Sequence, residues 1–130
     1  MMDQTDQKKK ILIVEDEKFY SRTLSYKLES VGFDIVLAND GKEALAALEQ
    51  DTFDLLLTDL VMPNMNGFEL IKEVKKRGLQ MPVMALTNLS QEEDKKVVLD
   101  SGASDYIVKA ETPIFELVKR IEKILSVSKS

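Results

Sequence analysis

Five short apolar runs, Ile11–Val14, Ile35–Ala38, Leu55–Thr58, Val83–Leu86 and Tyr106–Val108, limit the possible folds more than any other feature. The runs rich in Ile, Val and Leu lack the alternation of a strand with one wet face. They read as strands covered on both faces, the pattern of a parallel sheet. Longer segments of helical pattern lie between them, where a parallel sheet needs its crossovers. The prediction is a (βα)5 fold of the α/β class, a doubly wound parallel sheet with helices on both faces. Asp40 with Glu43, Asn66 with Glu69 and Ser90 with Glu93 each pair a capping residue with an acid three positions on, and Thr112-Pro113 supplies a further helix start. Gly32, Gly78 and Gly102 fall where the first, third and fourth helices should stop. Leu117, Val118, Ile121, Ile124 and Leu125 form one stripe on the last helix.

Composition narrows the chemistry. A chain of 130 residues is the size of one domain, expected to fold over 9–125 with a disordered N-terminal segment at 1–8 and a frayed tail at 126–130. Hydrophobic residues at 44% and charged residues at 32% are the balance of a globular protein. Cysteine and histidine are both absent, which removes thiol chemistry and any imidazole base, metal ligand or internal phosphocarrier. Carboxylates, lysine and hydroxyls are left to do the chemistry. The net charge of -5, without a large basic cluster, gives no support for direct nucleic-acid binding. No apolar run approaches the roughly 20 residues that span a bilayer, nor is there a secretory stretch, so no membrane binding and a cytoplasmic location are expected.

In an open parallel sheet, ligands bind beyond the carboxyl ends of the strands. The residues at those ends are Glu15 and Asp16 after the first run, Asp59 after the third, Thr87 after the fourth and Lys109 after the fifth. Three carboxylates on one rim repel unless a hard cation binds or a proton is taken up. Mg²⁺ fits such a set, being held by one or two carboxylates together with phosphate. Lys109 and Thr87 suit the remaining phosphoryl oxygens, and Asp59 is then the candidate nucleophile for an acyl phosphate. Each residue also has a plainer reading. Asp16 could cap the first helix, Lys109 could form a structural ion pair, and Thr87 could make a turn before Asn88. Tyr106 and Met62, Met65, Met81 and Met84 read as packing on pattern alone.

The motifs ILIVEDE, LLLTDLVMPNMNG, VMALT and GASDYIVK, in that order across residues 9–125, resemble the response-regulator receiver domain. In length the chain looks like the single-domain, chemotaxis (CheY-like) members. The resemblance implies a flavodoxin-like sheet of order 2-1-3-4-5 and a phosphoryl group passed to Asp59 from a histidine kinase or histidine-phosphotransfer protein. It implies Mg²⁺ held by Asp16, Asp59 and the backbone carbonyl of Val61, with Glu15 acting through a water. Thr87 would bond the phosphoryl oxygen and Tyr106 would swing inward as Thr87 moves. The change would reach a downstream target at the surface of the fourth helix, fifth strand and fifth helix, in a monomer or a weak phosphorylation-dependent dimer.

Three departures from that pattern stand out. Lys109 is followed by Ala110 where the family usually has proline, so the expectation is a trans or mobile Lys109–Ala110 peptide. Val61 and Leu89 are apolar where some relatives place polar groups that orient the attacking water, which predicts slow dephosphorylation. Asn88, bulkier than the small residue often found there, is expected to restrict Thr87. Rival functions fare less well. A Mg²⁺-dependent phosphohydrolase usually carries an acid where Val61 stands, and a flavin carrier needs a phosphate cradle where EDEKFYS places acids. A degenerate receiver serving only as an interaction module has the missing proline in its favour and the intact acids, Thr87 and Lys109 against it.

Overall fold

The computed structural model describes residues 8–89 and 91–125. The 1–8 and 126–130 terminal segments, apart from Lys8, lie outside them. The chain alternates strand and helix throughout: β1 (Lys10–Val14), α1 (Lys18–Ser30), β2 (Asp34–Ala38), α2 (Gly41–Gln50), β3 (Leu55–Thr58), α3 (Gly67–Lys76), β4 (Val83–Thr87), α4 (Glu92–Asp100), β5 (Asp105–Val108) and α5 (Ile114–Leu125). The five strands form one parallel sheet of order β2-β1-β3-β4-β5, as expected. Strand bounds differ from the apolar runs by single residues, and β4 continues through Thr87.

Successive side chains of each strand enter opposite layers. Leu12, Val14, Leu56, Val83 and Ala85 pack with Ala44 of α2, Leu70, Ile71 and Val74 of α3, and Val98 of α4. Ile11, Ile13, Leu55, Leu57, Met84 and Leu86 pack with Leu24 and Leu28 of α1 and Leu117, Val118 and Ile121 of α5. This two-sided burial explains why β1, β3 and β4 read as unbroken apolar runs. Each fully buried leucine or isoleucine contributes about 1.5–3 kcal/mol of transfer free energy. The second run differs because β2 is an edge strand, and Leu37 faces solvent there.

The helix boundaries follow local chemistry. Asp40 accepts from the Glu43 amide while the Glu43 side chain accepts from the Asn39 amide, and Asn66 with Glu69 forms a full capping box. The Ser90–Glu93 pairing expected to start α4 falls on Ser90, which lies outside the described residues; α4 begins at Glu92 behind Gln91, which makes no side-chain cap. Acids at Glu92, Glu93 and Asp94 favour its start through the helix dipole instead. Nor does Asp16 cap α1, because the chain takes one more extended residue and Glu17 precedes the helix without a side-chain cap. Gly32, Gly78 and Gly102 follow α1, α3 and α4 with positive φ, as their placement predicts.

Candidate functional site

The sheet register places the site residues. Val14 pairs with Thr58, and the ladder continues one step as the Asp59 amide donates to Val14 O at 2.9 Å, bringing Glu15 and Asp59 side by side. Thr87 pairs with Val108, so Lys109 emerges directly beyond. These residues line a cleft of about 300 Å³ at the carboxyl ends of the strands, together with Asp16, Glu17, Val61, Asn88 and Leu89. Every strand-end residue singled out from sequence therefore reaches one cavity. Carboxylate oxygens of Glu15, Asp16 and Asp59 lie within 4.8 Å of one another. Three acidic oxygens at that spacing, with Asp16 exposed to exchange with solvent, suit a hard divalent cation.

Asp59 is held from two sides. Its Oδ1 accepts from the amides of Leu60 at 2.6 Å and Val61 at 3.3 Å, and its Oδ2 accepts from Lys109 Nζ at 3.2 Å. Lys109 Nζ also lies 2.6 Å from Glu15 Oε1 and 3.9 Å from Glu17. The Lys109 and Glu15 side chains are 7% and 1% exposed, so this is a buried ion pair. Burial pushes the Glu15 pKa above its ordinary value, with Lys109 and the Glu17 amide pulling the other way. Burial opposes the Lys109 charge, but Glu15 and Asp59 outweigh it and raise the ammonium's pKa.

Thr87 is buried, and its hydroxyl accepts from the Leu89 amide at 3.3 Å. The hydroxyl thus closes a turn onto Leu89, and the same residue lines the cleft. Tyr106 lies inside the fold, 7% exposed, and its hydroxyl donates to Leu89 O at 2.8 Å. The Lys109–Ala110 peptide is trans, within a single 3₁₀ turn over Lys109–Glu111. Without a proline ring, Ala110 keeps an N–H, and it donates to Asn88 Oδ1 at 3.1 Å. Asn88 therefore ties its loop to the turn after β5, and two of the three departures from the family pattern meet in one hydrogen bond. Val61 is 61% exposed at the lip of the cleft and does not close it.

Sequence reasoning missed three residues. Asn64 has φ 69, a left-handed conformation asparagine tolerates, and donates to Asp40 Oδ2 at 2.6 Å, bracing the loop after Asp59. Glu17 faces Lys109 from the start of α1. Tyr20 places its ring against the Lys109 ammonium. No sequence signal marks it, because Asp16 lies outside α1 and the contact depends on how the helix is turned about its axis.

Comparison with known proteins agrees with this geometry. Residues 11–122 match the family described as the response regulator receiver domain, and the chain belongs to that family. It is 38% identical over 117 residues to the alkaline phosphatase synthesis transcriptional regulatory protein PhoP of Bacillus subtilis, covering 90% of this chain and 48% of that one. The chain spans about half the length of the first curated relatives it matches. An uncharacterized 14.6 kDa protein of Leptolyngbya boryana is 38% identical over 115 residues, with 87% of each chain covered. The receiver domain of the Francisella response regulator 1452 superposes with a TM-score of 0.86 at 32% identity, covering 92% of this chain and 98% of that one. The chain is a signalling domain of two-component systems with the flavodoxin-like receiver fold. Among the described residues no helix is long and apolar enough to cross a membrane.

Proposed function

We propose that Asp59 is the phosphoacceptor of a cytoplasmic His-Asp phosphorelay. The observation that carries the reading is the meeting of the Asp59 carboxylate, the Lys109 ammonium and the Thr87 hydroxyl in one cleft beside two further acids. An Asp59 oxygen attacks the phosphorus of a partner's phosphohistidine, an oxygen–phosphorus bond forms, and the phosphorus–nitrogen bond breaks with the imidazole leaving. Lys109 meets the growing negative charge on the phosphoryl oxygens, as a positioned cation does in a partly dry site. Asp16, Asp59 and the Val61 carbonyl, with Glu15 beside them, would hold Mg²⁺, which would supply charge neutralisation at those oxygens. Catalysis is confined to the domain's own phosphorylation and slow autodephosphorylation.

Output follows from the loop after β4. Thr87 turns its hydroxyl to the phosphoryl group, and that loop is tied to β5 through Tyr106 and Leu89. The receiving surface is formed by α4, β5 and α5, where Arg120 and Asp105 pair at 3.2 Å, and a downstream protein docks there. Incubation with Mg²⁺ and acetyl phosphate, followed by intact-mass measurement, tests the reading. The wild type is expected to gain one phosphoryl mass and Asp59→Asn none. No gain under conditions that phosphorylate a control receiver would favour a degenerate interaction module instead.

Val61 and Leu89 give the cleft no polar group to orient a hydrolytic water, so the phosphate is expected to be long-lived. Val61→Asn combined with Leu89→Glu should shorten its lifetime about tenfold, by supplying donors and acceptors that position water. An unchanged decay rate, followed by mass after removal of the donor, would count against this explanation.

A further inference from the structure

The ring of Tyr20 faces the Lys109 ammonium, with Nζ 4.9 Å from the ring centroid. Tyr20 sits in the first turn of α1 and packs against the core layer shared by α1 and α5. Its hydroxyl is buried with no hydrogen-bond partner among the described residues. A buried tyrosine hydroxyl normally finds a partner, so the ring is the part of this side chain that makes the useful contact.

The ion-pair partners of the ammonium among the described residues are Glu15 at 2.6 Å, Asp59 at 3.2 Å and the exposed Glu17 at 3.9 Å. Glu15 and Asp59 belong to the cluster that suits a divalent cation, and a cation there competes with the ammonium for their oxygens. Phosphorylation then changes Asp59 itself. The Tyr20 ring is uncharged and offers nothing that a hard cation prefers over a carboxylate. Of these contacts of Lys109, it is the buried one that neither change alters.

We propose that Tyr20 is a positioning residue for Lys109. Its ring holds the ammonium at the floor of the cleft by cation–π attraction and keeps it aimed at the phosphoryl position when metal and phosphate draw Glu15 and Asp59 away. Such attraction is largest where the cation is desolvated, and the Lys109 side chain is 7% exposed. The proposal rests on the phosphoacceptor reading of the cleft.

The test uses the full chain as wild type, Y20F and Y20L. In metal-free protein, NMR should find the Lys109 ε-methylene protons upfield of those of the solvent-exposed lysines in wild type and Y20F, through shielding by the ring, and not in Y20L. With Mg²⁺ and acetyl phosphate, Y20F should phosphorylate within about twofold of wild type and Y20L about five- to tenfold more slowly. Rescue by phenylalanine separates the ring from the hydroxyl, and leucine keeps the apolar packing. Unshielded Lys109 protons in the wild type would overturn the role of Tyr20 even if Y20L failed to fold, as would a wild-type rate in a folded Y20L. A wild type with shielded Lys109 that takes no phosphate would overturn the phosphoacceptor reading instead.

Discussion

Lys109→Met is expected to slow phosphorylation of Asp59 by acetyl phosphate about 100-fold, the loss typical of removing one preorganised charge-stabilising donor. Methionine keeps the length and much of the volume of lysine, so the change isolates the charge. The same substitution should destabilise the metal-free fold. Glu15 is 2% exposed and has its Lys109 partner 2.6 Å away, so deleting the ammonium strands a buried carboxylate beside Asp59. Breaking an enclosed pair costs about 3–5 kcal/mol, and water entering the cleft reduces that to about 2–3 kcal/mol here. The loss should depend on pH in a definite direction. Burial already raises the Glu15 pKa above its unfolded value, and Lys109 is the chief influence lowering it. In the variant the folded state holds the Glu15 proton more tightly still, so stability falls as pH rises through the raised pKa and recovers in acid. Urea unfolding at neutral and mildly acidic pH checks both sign and size. Equal losses at the two pH values would contradict the assignment of the cost to Glu15.

Gly67→Ala is expected to cost about 3 kcal/mol and to slow phosphorylation as well. A Cβ on Gly67 would stand 2.1 Å from the carbonyl oxygen of Asp59 and 2.7 Å from the Leu60 Cα, both backbone atoms. No rotamer change relieves such a contact, so either α3 or the end of β3 must move, and overpacking of this kind costs about 1–3 kcal/mol before any hydrogen bond is lost. The Gly67 amide donates to Leu60 O at 2.9 Å, and that bond goes too. The displaced peptides are those whose amides hold Asp59 Oδ1, so stability and chemistry should fall together. Chemical denaturation and the rate of mass gain measure the two effects. Wild-type stability with a wild-type rate would show that the close approach of α3 to β3 is not required.

Those two positions illustrate what was legible in the sequence. Lys109 could be placed because a strand end is defined by where an apolar run stops, and parallel register then carries every strand end to the same rim. The sheet, its two covered faces and the meeting of Glu15, Asp16, Asp59, Thr87 and Lys109 follow from that one rule. Gly67 could be read only as the residue after a cap, because the need for glycine comes from a backbone approach across the loop. The bond from Ala110 to Asn88 depends on a turn geometry set by two separate loops, and Tyr20 depends on the rotation of α1 about its axis. The start of α4 was not legible from Ser90 and Glu93, because a serine three residues before an acid is a local pattern and the helix begins at Glu92, one residue later than that pattern requires. Local rules carried the elements and their ends, whereas contacts between loops required coordinates.

The acceptor itself admits a direct chemical test. Borohydride reduces an aspartyl phosphate to homoserine and leaves free carboxylates untouched, so protein treated with Mg²⁺ and acetyl phosphate can be reduced, digested and sequenced by tandem mass spectrometry. Homoserine at position 59 alone is the predicted result. Homoserine at Asp16, 2-amino-5-hydroxypentanoic acid (the reduced form of a glutamyl phosphate) at Glu15, or no reduced residue in protein that has gained phosphate would contradict the assignment of Asp59 as the phosphorylated carboxylate.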